Sequence, residues 1–514
     1  MWGAGKGLRW VLAAAVSVII ASLAVFPVRS GPKYGGSVRM SLADSDVTSF
    51  DPIVPFDNMS IWTMLHVYDQ LVRVGKDGAT IEPDAADSWR TSPDGKTWVL
   101  HIRDGITFAD GTPLTAADVK AALDRAGSKD SNFEDNFTLI GSTTATDAHT
   151  LVVSLKQPSA SFLAYASLYA ASIAPATQMT AQGKAFWEHP VGSGPYVLTE
   201  WVKNDHLVLK RNPHYWQKPY PYLDELRFEV LTDDNTRMLR FRSGELDIAT
   251  NVPPNQVEPL KRVKGVTVRL FPQMRFDYVY YNHARKPFGD VRVRQALNYV
   301  VDHQAILKSV LYGYGSLAGS MLPPMLYWNK ELKPYPYDVA KAKALLQEAG
   351  LGGGFSTEIL VVSGDNQASQ IATILKDEFR AIGVDLKVTA LDPGTIRARR
   401  NKGDFDMAKG YYTSDVIDPD ELVAFGIDYA GGAVAKWISY KNDRITQLSA
   451  AAEAEMNPEK RKAMYFEIQK IAHDQFAVLP LYYADNRTAL RDSVHDFSQL
   501  PTANYRLWET WLSK

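Results

Sequence analysis

Between about residues 36 and 280 the chain is built of short stretches in which apolar and polar positions alternate. "TWVLHIR" (97–103), "HTLVVSL" (149–155), "YVLTEWV" (196–202), "HLVLKR" (206–211) and "ELRFEVL" (225–231) are alternating or β-branched, the pattern of half-buried strands. One helix is well marked among them. "TAADVKAALDRAG" (115–127) opens on Thr115 as N-cap with Asp118 three residues on, and closes on Gly127. After about 280 the period changes: helices over 338–350, 367–383 and 393–403 alternate with strands over 356–362, 384–391 and 405–412. This βαβαβ-like order predicts an α/β domain whose strands run at least partly parallel, with a domain boundary near 280.

The glycines of "HPVGSGPYVLTEW" (189–201) invite comparison with a phosphate loop. Such a loop needs a helix N-terminus facing the anion. Here Pro195 follows Gly194 and a strand pattern follows both, so the stretch predicts a tight turn entering a strand.

The first thirty residues stand apart. Lys6 and Arg9 precede "VLAAAVSVIIASLAVFPV" (11–28), the positive and then apolar layout of an export signal, with Ser22-Leu23-Ala24 or a point near Ser30 as the cut. An anchor helix that stays in place is the alternative reading of so long an apolar run. Cysteine is absent, which excludes disulfides and a lipid-modified N-terminal cysteine, so a soluble periplasmic protein is expected.

At 514 residues, 46% of them hydrophobic, the chain has room for two or three domains with sizeable cores. Its 56 basic and 58 acidic residues, more acidic still once Lys6, Arg9 and Arg29 leave with the signal, give no support to a nucleic-acid partner. Motifs of nucleotide, serine-hydrolase and zinc-protease chemistry (G-x-x-x-x-G-K-[ST], G-x-S-x-G, H-E-x-x-H) do not occur. His206 and His214, the closest histidine pair, have the wrong interval for one helical metal face. No catalytic residue, metal or cofactor is expected.

"ITFADGTPLTAADVKAAL" (106–123), "PVGSGPYVLTEW" (190–201), "LKRNPHYW" (209–216), "RFRSGELDI" (240–248) and "PFGDVRVRQALNYVVDHQAIL" (287–307) resemble, in order, the signatures of the bacterial family 5 extracellular solute-binding proteins. These include the periplasmic dipeptide- and oligopeptide-binding components of ABC transporters. The resemblance implies a two-lobed α/β periplasmic-binding-protein fold of type II, in its large three-subdomain form, hinged between the lobes. Residues 32–50, 190–275 and 485–514 would form the core of lobe I, 51–189 an inserted subdomain, and 276–484 lobe II. Crossovers near 272–282 and 480–487 would be the hinge. The partners implied are a peptide or peptide-like ligand and the membrane permease, with the binding protein itself a monomer that performs no chemistry.

The same resemblance nominates ligand-binding residues. In "YYTSDVIDPDELVAF" (411–425), Asp415 matches the aspartate that takes a peptide's α-ammonium, and Tyr412 an aromatic of the pocket wall. Asp418 and Asp420 read as solvated turn and N-cap residues. "RFDYVYYN" (275–282) places Phe276, Tyr278 and Tyr280 on one face of a crossover, with Arg275 beside them. "PFDNMS" (55–60) matches a segment whose backbone pairs with an extended peptide, nominating Asn58 and Met59. One departure bears on the substrate: dipeptide-binding members carry an arginine for the ligand carboxylate just after the strand matching "STEILVVSGDNQ", and no arginine occurs from Phe355 to Lys376. Arg275, and Arg397 or Arg399, could supply that cation from elsewhere in the chain. Longer peptides, opines, oligosaccharides and nickel chelates remain compatible with the family, and a ligand-presenting receptor is the alternative to a transporter component.

Overall fold

The computed structural model describes residues 31–55 and 57–513. The expected export signal lies outside the described residues. Among them no helix is long and apolar enough to cross a membrane.

Two lobes share one mixed sheet of eleven strands. In lobe I, Ser37–Leu42 pairs in parallel with Glu225–Val230, which pairs antiparallel with His206–Arg211, and that strand in turn with Tyr196–Val202. In lobe II, Phe355–Val362 lies parallel to both Val384–Leu391 and Met407–Thr413, the partly parallel arrangement that the alternating pattern predicts. The helices Asn366–Arg380 and Pro393–Asn401 make the connections. Parallel neighbours need such crossovers, which is why the helical and strand periods alternate here and not earlier.

Two long strands join the lobes. Val266–Tyr281 and Val478–Arg491 run antiparallel to each other through both cores, and their register slips between Pro272 and Phe276 and again between Asp277 and Tyr278. The slips re-aim the side chains where the chain leaves one lobe for the other. Beyond them, successive residues serve opposite faces of the lobe II sheet: Val279 and Tyr281 pack under the helices Val291–Tyr299 and Asn366–Arg380, whereas Phe276, Tyr278 and Tyr280 face the core that includes Tyr465 and Ile468.

The inserted subdomain carries a separate antiparallel sheet in the order Ala86–Thr91, Thr97–Ile102, Thr150–Leu155, Ile140–Ala145. Helix Ala116–Ala126 lays Val119, Ala122 and Leu123 into the same core. It has the expected start: the Thr115 N–H and hydroxyl both reach Asp118 Oδ2, at 2.9 and 2.8 Å.

The glycines of 189–201 act by close approach. A Cβ on Gly192 would sit 2.0 Å from the carbonyl oxygen of Val67, and one on Gly194 2.7 Å from the Val67 carbonyl carbon. The backbone bond from Gly194 N–H to Val67 O, 2.9 Å, requires that contact. Both neighbours are backbone and cannot rotate away. Gly192→Ala is therefore expected to destabilise the fold by about 1–3 kcal/mol or more, read as a lowered urea midpoint, whereas alanine at Gly353, which has open space around it and no left-handed backbone, adds no such clash.

Candidate ligand-binding site

A cavity of about 600 Å³ lies where the lobes meet. Lobe I lines it from several separate segments, among them the stretch after helix Asn58–Met64 with Tyr68, Asp69, Gln70 and Arg73; Asp84, Ser167 and Tyr169; Pro195 and Tyr215; and Tyr505 and Trp508 near the C-terminus. Lobe II contributes Asp415.

Asp415 stands one residue past the strand Met407–Thr413 and its neighbour Ser414. The loop is held by Glu421, from the first turns of helix Pro419–Gly426: a single carboxylate oxygen accepts from Ser414 Oγ at 2.7 Å, Asp415 N–H at 3.0 Å and Val416 N–H at 3.1 Å. That staple fixes the backbone of residue 415. Its carboxyl makes no hydrogen bond or ion pair among the described residues. Burial, and then the charge of Glu421, push its pKa well above the usual carboxylate range. Burial also raises Glu421, but the bonds it accepts favour its ionised form, so Asp415 is the carboxyl that keeps the proton.

The rest of the cavity wall is more fully paired. Asp84 accepts from the Gln70 N–H at 2.9 Å and from Arg73 at 3.4 Å, and Asp69 accepts from the Trp216 indole at 3.0 Å. Burial and the neighbouring Asp84 charge raise Asp69 well above its ordinary value. Arg73 is the basic residue among those lining this cavity.

The lobes also touch beside the cavity. Tyr165 donates to Asp420 at 3.0 Å, and Gln157 to Glu453 at 3.1 Å. Asp418 and Asp420 are thus not the solvated residues their turn pattern predicts. Asp418 caps its helix as expected, yet it also receives both terminal nitrogens of Arg461 at 2.7 Å each, and both aspartates are buried. Burial and the nearby Asp418 and Glu453 charges raise Asp420 to about 7. Contacts from helix Pro458–Asp474 and from the inserted subdomain cover them, and neither is local in sequence.

The other nominated residues fall elsewhere. Phe276 and Tyr278, stacked with centroids 4.7 Å apart, line a second, largely apolar cavity of about 510 Å³ inside lobe II, together with Tyr412. Tyr412 packs on Phe425. It sits near enough to Asp415 to feel its charge, as does Tyr169 from lobe I. Arg275 is held by Asp277 at 2.7 and 3.0 Å and lies over the Tyr411 ring, while Arg399 is bound to Glu358 at 2.7 Å. Neither Arg275, Arg397 nor Arg399 lines the interlobe cavity. Met59 is fully buried in the lobe I core, and Asn58 is half-buried at the start of its helix. The helix contributes instead through the turn that follows it. Glu421, Tyr169, Arg73 and Trp508 escape a reading of the sequence because no local pattern distinguishes them from first-turn, core or surface residues.

The profile of the bacterial extracellular solute-binding proteins, family 5, middle region, matches residues 80–428. The chain belongs to this family. Among curated family 5 relatives it is 30% identical over 488 residues to the glutathione-binding protein GsiB of Salmonella typhimurium, covering 92% of each chain. Among solved structures it is similar to the periplasmic binding protein DppA of Helicobacter pylori in complex with the peptide STSA (26% identity, TM-score 0.83, 94% of this chain and 99% of the other). It is also similar to AgaA of A. tumefaciens R10 in complex with agropinic acid (25% identity, TM-score 0.82, 93% and 99%). The fold is accordingly that of the type II periplasmic binding proteins, as the five sequence signatures imply. Family 5 members are binders that serve transporters.

Proposed function

We propose that this protein captures a peptide or peptide-like solute with a free ammonium group in the periplasm, closes its lobes around it and presents it to the permease of an ABC importer. Asp415 carries the reading. It is a carboxyl without a cationic partner in a cavity between lobes, where an ammonium would favour its ionised form and make short charge-assisted bonds. GsiB, named for glutathione, and DppA, in complex with STSA, support a peptidic solute. AgaA with agropinic acid supports a second reading, a non-peptide solute on the same scaffold.

Export by the N-terminal segment 1–30, with cleavage, accounts for delivery to that compartment. Asp415 would hold the ammonium, Tyr412 and Tyr169 would flank it, and the strands near 272–282 and 480–487 would bend as the lobes close. Phe276 and Tyr278 would support that wall from within lobe II rather than touch the solute. Native mass spectrometry of protein taken from its own cell envelope tests the reading. The expected result is a retained mass that belongs to an amine-bearing species; a sugar or another amine-free solute would sink it.

A further inference from the structure

The lobes also hold each other directly, outside the cavity. The inserted subdomain moves with lobe I, because Leu100 and Val153 of its sheet and Leu123 of its helix share one apolar core with Met40 and Phe228. Its segment 157–165 lies against lobe II. Tyr165 donates to Asp420 at 3.0 Å, and Ser161 Oγ is 3.4 Å from the same carboxylate oxygen. Gln157 donates to the Glu453 carboxylate at 3.1 Å, and the Ala160 N–H donates to the Glu453 carbonyl at 3.2 Å.

The Ala160 bond ties the lobes through backbone. Glu453 stands one residue before the end of helix Asp443–Ala454. The last four carbonyls of a helix have no partner within it, so lobe I completes the C-terminal cap of a lobe II helix. Met456, just past that helix, lies against the turn at Gly95 of the inserted subdomain, where a Cβ would sit 3.6 Å from its Cγ.

Lobe II contributes an apolar plug. Val416 is fully buried, and it belongs to the core of lobe I and the inserted subdomain, not to either core of lobe II, while its neighbour Ile417 packs against both sides. The bond from the Val416 N–H to Glu421, 3.1 Å, holds the plug in position. Opening the lobes has to break the bonds from segment 157–165 and expose Val416 to water, which is unfavourable in proportion to the apolar area uncovered.

We propose that segment 157–165 and the Val416 plug form a latch that closes the lobes whatever the cavity holds, so that the protein without solute already populates the closed form and the solute selects it. Gln157, Ala160, Tyr165, Val416, Asp420 and Glu453 are not among the residues lining the interlobe cavity. The latch therefore does not depend on the amine-binding reading above. For a solute that binds the closed form, the apparent dissociation constant is the intrinsic one divided by the closed fraction, so the latch sets affinity without touching the solute.

Small-angle X-ray scattering tests this on the full protein, stripped of solute in guanidinium and refolded. Tyr165→Phe keeps the ring and removes the hydroxyl, and Gln157→Ala removes the bond to the Glu453 carboxylate. The double variant loses two interlobe hydrogen bonds, and its closing constant is expected to fall roughly 5- to 100-fold. Its radius of gyration should therefore exceed that of the native protein, with near-ultraviolet circular dichroism unchanged. Val416→Ala, which trims the plug and leaves both acids and their donors in place, is expected to move the radius in the same direction. Equal radii for the native protein and the variants overturn the latch, as does a smaller radius in the variants. An expansion that comes with loss of the near-ultraviolet signal in both variants also overturns it, since it reports unfolding in place of opening.

Discussion

Asp415→Asn is expected to weaken binding of an amine-bearing peptide by about 2–5 kcal/mol, which is about one and a half to nearly four decades in dissociation constant. The substitution keeps the shape of the side chain and the backbone bond from residue 415 to Glu421, so the loop should stay in place. What it removes is the charge opposite the ammonium. Titration of glutathione or trialanine into both proteins checks it, and unchanged affinity would sink the assignment. The raised pKa of Asp415 adds a second signature. In the free protein, burial and Glu421 keep a proton on Asp415 well above the usual carboxylate range, whereas an ammonium partner favours the ionised form. Binding therefore expels that proton. Affinity should rise with pH through the titration of Asp415, then fall once the ligand's own amine loses its charge. Calorimetry in two buffers of different ionisation enthalpy reads the released proton directly, and Asp415→Asn should abolish it.

Asp277→Ala should produce the largest loss of stability, about 3–5 kcal/mol, because it strands the buried Lys409 and the partly buried Arg275. Asp277 is fully buried where the first crossover strand enters lobe II, and it accepts two bonds from Arg275 and one from Lys409, whose side chain is 4% exposed. Burial alone would raise the Asp277 carboxyl; Arg275 and then Lys409 override that and hold it at about 2, below its ordinary 3.8. The sign follows from that depression. The carboxylate's contribution, about 2 kcal/mol from the shift itself, is fully present above pH 3.8 and is lost as pH falls through 2. Urea unfolding of both proteins at pH 7, and of the native one from pH 7 down to pH 2, checks both statements. A midpoint for Asp277→Ala within 1 kcal/mol of the native value would show that Arg275 and Lys409 find other partners.

The sequence by itself determined the local elements and the order in which they occur. Helix Ala116–Ala126 forms where Thr115 and Asp118 cap each other, and the strands at 97–102, 150–155 and 196–202 form where apolar residues alternate, because those signals lie within a few residues of one another. The position of Asp415 just past a strand end was legible for the same reason, since the strand and the motif after it are local. The close approach of Gly192 to Val67 was not, although the turn was: which backbone passes 2.0 Å from a would-be Cβ depends on a segment more than a hundred residues away.

Only the tertiary structure decided which groups meet. The slips in register between the crossover strands turn Phe276 and Tyr278 into lobe II, away from the cavity that holds Asp415. Closure of the inserted subdomain on helix Pro419–Gly426 buries Asp420 against Tyr165, which a turn motif read alone leaves in solvent. Arg73, Tyr169, Trp508 and Asp415 come together from four distant parts of the chain. Hydrophobic period and capping are short-range and leave a mark in the sequence. A binding cavity is assembled by the packing of remote segments, and its charge balance exists only after they have packed.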